Sequence, residues 1–192
     1  MAHSETAQPT RRDFIYVATA AATAVGGVLA LWPFIDQMNP SADVLALSSI
    51  EVDLTPIAEG QQVTFVWRSK PLFVRHRTAK EIAEAQATPL TDLIDPLARN
   101  ANLPDNTPAT DANRLTAVDP KSPAKPQWLV LIGSCTHLGC VPQYKEGPYG
   151  GYLCHCHGSQ YDTSGRVRHG PAPQNLDVPQ YTYLSDTRIK VG

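Results

Sequence analysis

Cys135-Thr136-His137-Leu138-Gly139-Cys140 and Cys154-His155-Cys156-His157-Gly158-Ser159 hold all four cysteines of this 192-residue chain. Each hexapeptide pairs a Cys with a His, as C-x-H in the first and C-x-x-H in the second, and each carries one further Cys. Two sulfurs and two imidazoles are enough to ligate a metal centre. Thiolate suits zinc, copper(I) or iron–sulfur clusters, and imidazole suits zinc, copper, iron and nickel. Two readings remain. One is a closed tetrahedral zinc site; the other is a [2Fe–2S] cluster with two Cys on one iron and two His on the other. Zinc ligands typically follow the spacings C-x₂₋₄-C and H-x₃₋₅-H. The sixteen residues between His137 and Cys154 fit that pattern poorly, which favours iron–sulfur. A redox-active dithiol would need a C-x-x-C at a helix start, and that context is missing.

The two boxes resemble those of Rieske iron–sulfur proteins. The extra cysteine in each is similar to the quinol-oxidising kind found in cytochrome bc1 and b6f complexes, and Rieske ferredoxins and ring-hydroxylating dioxygenases generally lack it. The resemblance extends to Tyr161-Asp162, to Gly170-Pro171-Ala172-Pro173 and to an N-terminal anchor, so it covers essentially the whole chain. It implies one [2Fe–2S] cluster of the Rieske type, with Cys135 and Cys154 on one iron and His137 and His157 on the other. It implies a disulfide between Cys140 and Cys156. Ser159 and Tyr161 would place hydroxyls near the cluster sulfurs, and Leu138 would be an apolar cover. Gly170 and Pro171 would open a rigid third loop, and His157 would be the ligand that meets the quinol. Two residues depart from the family pattern: His155 stands where Pro is usual and Gln160 where His often follows the Ser. We expect His155 to point to solvent, since histidine needs a special setting to become a ligand.

The N-terminus reads as a membrane anchor. Phe14 to Ile35 is 22 consecutive residues without a charge. A helix rising about 1.5 Å per residue could cross a hydrocarbon core of about 30 Å over that length. The run exceeds a signal-peptide apolar region of roughly 7–15 residues, which points to a retained span. Arg11 and Arg12 precede it, and no Lys or Arg follows until Arg68. The positive-inside rule then places residues 1–13 in the cytoplasm and everything after Asp36 outside. Thr10-Arg11-Arg12-Asp13-Phe14-Ile15 looks like a twin-arginine export signal, which implies a bacterial inner membrane, a single pass and a periplasmic head. Export of an already folded domain suits a cluster assembled in the cytoplasm, and a disulfide can form beyond the membrane.

Residues 36–47 read as a linker broken at Asn39-Pro40-Ser41, and resemble the family's flexible hinge. Residues 48–192 suffice for one domain with a proper core. Seventeen prolines and twelve glycines suit turn-rich β structure. The fold expected is mostly β: an antiparallel Rieske-type domain with two cluster-binding loops, the cluster-binding part spanning about 129–175. Val63, Phe65 and Trp67 alternate as a strand, and Arg68-Ser69-Lys70-Pro71 turns into a second strand, Leu72 to Arg77. Thr78 caps a helix to about Gln86 with Glu81 as its capping-box partner. Residues 95–126, rich in Asn, Pro, Asp and Ala, read as a long surface loop. Trp128 to Ile132 is an apolar strand feeding the first box, and Gly150 to Leu153 feeds the second. Tyr161 to Arg168 and Tyr181 to Val191 read as hairpins.

The formal charge of −2 leaves no nucleic-acid footprint. Histidine in place of thiolate removes negative charge from a cluster and sets its potential at about −150 to +300 mV, far above all-Cys ferredoxins. Hydrogen bonds to sulfur raise it further. A ligating imidazole also keeps one ring nitrogen free for a proton, held more weakly when the iron is oxidised, so electron and proton uptake are coupled. By resemblance, the chain is the electron-transfer subunit of a quinol–cytochrome c oxidoreductase. It would take an electron from ubiquinol at cytochrome b, pass it to cytochrome c1 and contribute to proton translocation within a dimeric complex held in membrane lipid. The long region from Asp95 to Pro126 favours the bc1 over the b6f type. The alternatives are a Rieske ferredoxin, disfavoured by Cys140, Cys156 and the anchor, and a zinc-stabilised periplasmic binding module.

Overall fold

A computed structural model describes residues 10–42, 44, 48–118 and 125–192. The chain divides into two compact units, Met1–Leu45 and Ala46–Gly192.

The first unit is built on helix α1, Arg11–Asp36. Thr10 caps it: its hydroxyl accepts from the Asp13 N–H, and the Asp13 carboxylate accepts from the Thr10 N–H. That reciprocal bond fills two of the donors a helix start leaves open. Pro33 falls in the last turns, and no residue of α1 is buried against protein. Between its charged ends the helix is apolar on every face, which suits lipid, and α1 is long and apolar enough to cross a membrane.

The second unit contains three antiparallel sheets. The first has the order β1–β10–β9, from Ile50–Asp53, Arg188–Val191 and Tyr181–Ser185; the second is β2–β3–β4, from Gln62–Trp67, Lys70–His76 and Trp128–Ile132. The third is β5–β6–β7–β8, from Gln143–Tyr144, Gly150–Cys154, Ser159–Asp162 and Val167–His169. One apolar core joins them, with Val52, Ile189 and Val191 from the first sheet, Leu72, Val74 and Leu131 from the second, and Tyr152, Tyr161 and Val167 from the third.

In β2 the expected alternation holds: Val63, Phe65 and Trp67 are half-buried while Thr64 and Val66 face solvent. Arg68 and Ser69 connect β2 to β3 with φ of 48° and 60°, the two-residue geometry that matches strand twist. Strand β4 is buried at every position, which explains its continuous apolar run. Helix α2, Ala79–Ala87, carries the expected Thr78–Glu81 capping box. Two short strands, β1 and β5, add to those expected from the sequence.

Residues 95–126 differ from the surface loop expected. Among the described residues, Asp95, Ala98, Ala109, Asp111, Arg114 and Leu115 are buried. Leu97 bridges Pro108 and Asn100 bridges Val178, and a short helix, α3, spans Asp111–Arg114. The polar side chains are buried because each has a partner: the arginine donates to carbonyls, and the carboxylates accept from guanidinium and backbone N–H groups. Arg114, fully buried, donates to the carbonyls of Ala98, Ser164 and Leu176. Arg77 holds Asp111 through two bonds. A buried polar group is tolerated when it is bonded this way.

Candidate metal centre

The two boxes are loops on the ends of core strands. The first follows β4 and closes on itself: the Cys135 N–H donates to the Cys140 carbonyl at 2.7 Å, and the Gly139 N–H to the Cys135 carbonyl at 2.8 Å. The second is the turn of the β6–β7 hairpin, in which Cys154 and Ser159 are paired across the strands. There the Gly158 N–H donates to the Cys154 carbonyl at 2.9 Å. In each box a cysteine carbonyl thus accepts from the glycine four residues on, which turns the intervening side chains outward from a rigid base.

Cys140 and Cys156 form the disulfide, with Cα atoms 6.6 Å apart. Cys135 and Cys154 are free and buried. The sulfurs of Cys140, Cys154 and Cys156 lie within 4.8 Å of one another, but two of them are spent on the disulfide, so that trio is not a ligand set. The rings of His137 and His157 approach edge to face with centroids 4.6 Å apart. Among the described residues, His137 Nδ1 has no hydrogen-bond partner although it is buried. A buried ring nitrogen is seldom left so, and a ligand nitrogen is the simplest account of it. Two free thiols and two converging imidazoles, one with an orphaned nitrogen, fit a two-Cys, two-His cluster.

The Tyr161 hydroxyl donates to Cys135 Sγ at 3.2 Å. Burial works to raise the Cys135 pKa, but hydrogen bonds from the Tyr161 hydroxyl and the His137 backbone N–H outweigh it, and the pKa is lowered. At Cys154 burial dominates and pushes the thiol up. Burial, with the bond to Cys135, also raises the Tyr161 phenol, which keeps it a proton donor. Ser159 is fully buried, and its Oγ accepts from the Ala172 N–H at 3.1 Å. Its own proton is therefore available to an acceptor such as sulfur.

The third loop packs directly on the second box. Gly170 has φ +100°, and a Cβ there would lie 2.6 Å from Ser159 Cα and 2.8 Å from the Gly158 carbonyl oxygen. Only glycine fits so close a backbone contact. Pro171 beside it is exposed, and Leu138 is 70% exposed at the tip of the first box. His157 is exposed, whereas Cys135 and Cys154 are buried. His155 faces solvent and touches Glu146 Oε2. A reading by motif missed Thr136, whose hydroxyl donates to the Gln174 carbonyl at 2.6 Å and accepts from the Gln174 N–H. No local signal marks a bond that spans 38 residues.

Residues 97–182 match the family described as "Rieske [2Fe-2S] domain", and residues 1–41 match "Ubiquitinol-cytochrome C reductase Fe-S subunit TAT signal". The ubiquinol-cytochrome c reductase iron-sulfur subunit of Bradyrhizobium diazoefficiens is 54% identical over 185 residues, 96% of this chain and 95% of that protein. This chain belongs to that family. The same subunit of Rhodobacter capsulatus is 50% identical over 194 residues, covering both chains in full. That of Blastochloris viridis is 49% identical, across 100% of this chain and 98% of the relative. A solved chain titled "Hyperthermophilic respiratory Complex III" shares the fold, with a TM-score of 0.50 at 24% identity over 91% of this chain and 98% of that one. As an iron–sulfur subunit of ubiquinol–cytochrome c reductase, the chain carries a Rieske [2Fe–2S] cluster and serves an oxidoreductase in electron transfer. Its apolar helix and twin-arginine segment mark a membrane-anchored, exported head.

Proposed function

We propose that Cys135 and Cys154 hold one iron of the cluster and His137 and His157 the other, and that His157 receives ubiquinol. When bound, the cluster accepts and releases one electron at a time. The observation that carries this reading is the asymmetry of the donor set: both cysteines are buried, while His157 is exposed. Buried thiolates keep water from the sulfur side. An exposed imidazole can hydrogen-bond a quinol hydroxyl through its outer ring nitrogen and take the proton as the electron leaves. Exposed Leu138 offers that quinol an apolar flank. Tyr161 and Ser159 stabilise negative charge at the sulfurs and so favour the reduced state.

The partners that follow from this role are cytochrome b, where ubiquinol is oxidised, and cytochrome c1, where the electron goes next. The names of the relatives and the span α1 support this reading, as does the charge asymmetry around α1, which favours a cytoplasmic N-terminus, a bacterial inner membrane and a periplasmic head. Residues 36–47 would act as the hinge between anchor and head, within a dimeric complex that contributes to proton translocation. The test is the midpoint potential of the cluster in isolated membranes as a function of pH. A potential that falls steadily through neutral and alkaline pH supports proton uptake at the histidines; a flat profile contradicts it.

A further inference from the structure

The exit of the third loop is fastened by Asn175, a fully buried residue with no part in the reading above. Its side-chain oxygen accepts from the Val167 N–H at 2.7 Å. Its amide donates to the carbonyls of Asp95 at 3.0 Å and Leu97 at 2.7 Å. Its backbone N–H donates to the Asp95 carboxylate at 3.1 Å. Both amide protons and the carbonyl oxygen are thus engaged, which fixes the residue in one orientation. The residue before it, Gln174, exchanges two hydrogen bonds with Thr136. Thr136 adjoins Cys135, the sulfur that receives the Tyr161 hydroxyl. A continuous strap therefore runs from residues 95–97 through Asn175, Gln174 and Thr136 to Cys135.

We propose that Asn175 is a positioning residue for the metal centre. By locking the loop exit to residues 95–97, it holds the Gln174 peptide against Thr136 and keeps Cys135 Sγ within reach of the Tyr161 hydroxyl. The inference rests on the reading of Cys135 as a cluster ligand. Truncating Asn175 strands the Val167 N–H and two buried carbonyls, which the loop can re-satisfy only by moving. Hydrogen bonds weaken steeply with misalignment, so even a small movement at Cys135 would weaken the bond from Tyr161 and lower the potential.

The experiment measures midpoint potential, reduced-cluster EPR and head melting temperature in membranes carrying the full chain. The variants are Asn175→Ala, Thr136→Val, Thr136→Ser and the double variant Asn175→Ala/Thr136→Val. The expected result is a lowered potential and altered line shape in both Asn175→Ala and Thr136→Val. The double variant should shift no further than the larger single one, because both cut one strap, and Thr136→Ser should restore wild-type values. A lower melting temperature with wild-type potential and spectrum in Asn175→Ala overturns the proposal, as do shifts that add in full. If Asn175→Ala does not accumulate, Asp95→Ala removes the carboxylate bond to the same backbone; it should move the potential the same way, and an unmoved potential overturns the proposal. Cys135→Ser runs in parallel. A cluster retained with its wild-type spectrum there overturns the ligand reading and the strap with it. A cluster lost there while Asn175→Ala keeps its potential overturns the strap alone.

Discussion

The Tyr161 hydroxyl donates to the sulfur of Cys135 at 3.2 Å, from a neighbouring strand to a loop 26 residues earlier in the chain. Ser159, two residues before Tyr161 on the same strand, is buried beside it, its oxygen accepting from the Ala172 N–H and its hydroxyl acting with Tyr161 to lower the Cys135 pKa. Strand β7 thus delivers two hydroxyls to one side of the centre. A hydrogen bond to a charged acceptor contributes about 1.5–3 kcal/mol. Tyr161→Phe and Ser159→Ala should each lower the midpoint potential by roughly 60–130 mV, at about 59 mV per tenfold for one electron, and leave the cluster in place. Redox titration by EPR checks this; unchanged potentials would refute the assignment.

His157 and His155 bracket Cys156 but face different surroundings. His157 stacks edge-on against His137, while His155 meets Glu146 in solvent. We expect His157→Ala to lose the cluster and His155→Pro to keep it. Iron content and EPR of the purified heads decide, and the reverse pattern would sink the ligand set.

The disulfide is the covalent tie between two loops that otherwise meet through the His137–His157 ring contact and the third loop. A bridge of this kind stabilises by about 2–4 kcal/mol. Cys140→Ser leaves the proposed ligands complete, so the expected outcome is a cluster that binds but decays faster. Bleaching of the visible absorption over time measures it; a lifetime equal to wild type would count against the clasp.

Acid should loosen the head through Glu81. Burial opposes the charge on Glu81, but bonds from Arg75 and the Thr78 N–H outweigh it and hold its carboxyl below the ordinary value of 4.5. A depressed folded pKa stabilises the head above about pH 4.5, and that contribution is lost as pH falls through the folded value. Glu81→Gln leaves buried Arg75 without its counter-charge and should cost about 3 kcal/mol at neutral pH. It should also flatten the fall in melting temperature as pH drops below about 4.5. Thermal melts across that range test both effects, and a variant with the wild-type acid slope would exclude Glu81 as the responsible group.

Much of this architecture could be read locally. Strand β4 announced itself by an unbroken apolar run, β2 by alternation, α2 by Thr78 and Glu81, and the two boxes by their paired Cys and His residues. The residues that failed to show themselves are those whose partners are remote. Asp95, Asn100 and Arg114 look like surface residues because their types are usually exposed. Arg114 and Asn100 are buried by donating to remote carbonyls, those of Ser164 and Leu176 lying 50 and 62 residues from Arg114, and Asp95 by accepting from the Asn175 N–H, 80 residues on. Strand β1 is four residues long and is defined by pairing with β10 at the other end of the domain. Thr136 was visible inside the first box, but its bond to Gln174 was not.

The central claim is that this cluster, held by His137 and His157, meets ubiquinol through His157. The most direct measurement is EPR of reduced membranes with and without an inhibitor that occupies the quinol site. The account predicts a two-Cys, two-His [2Fe–2S] signal whose line shape changes when the inhibitor binds, and no signal in His157→Ala. A signal indifferent to the inhibitor, or one that survives loss of His157, would contradict it.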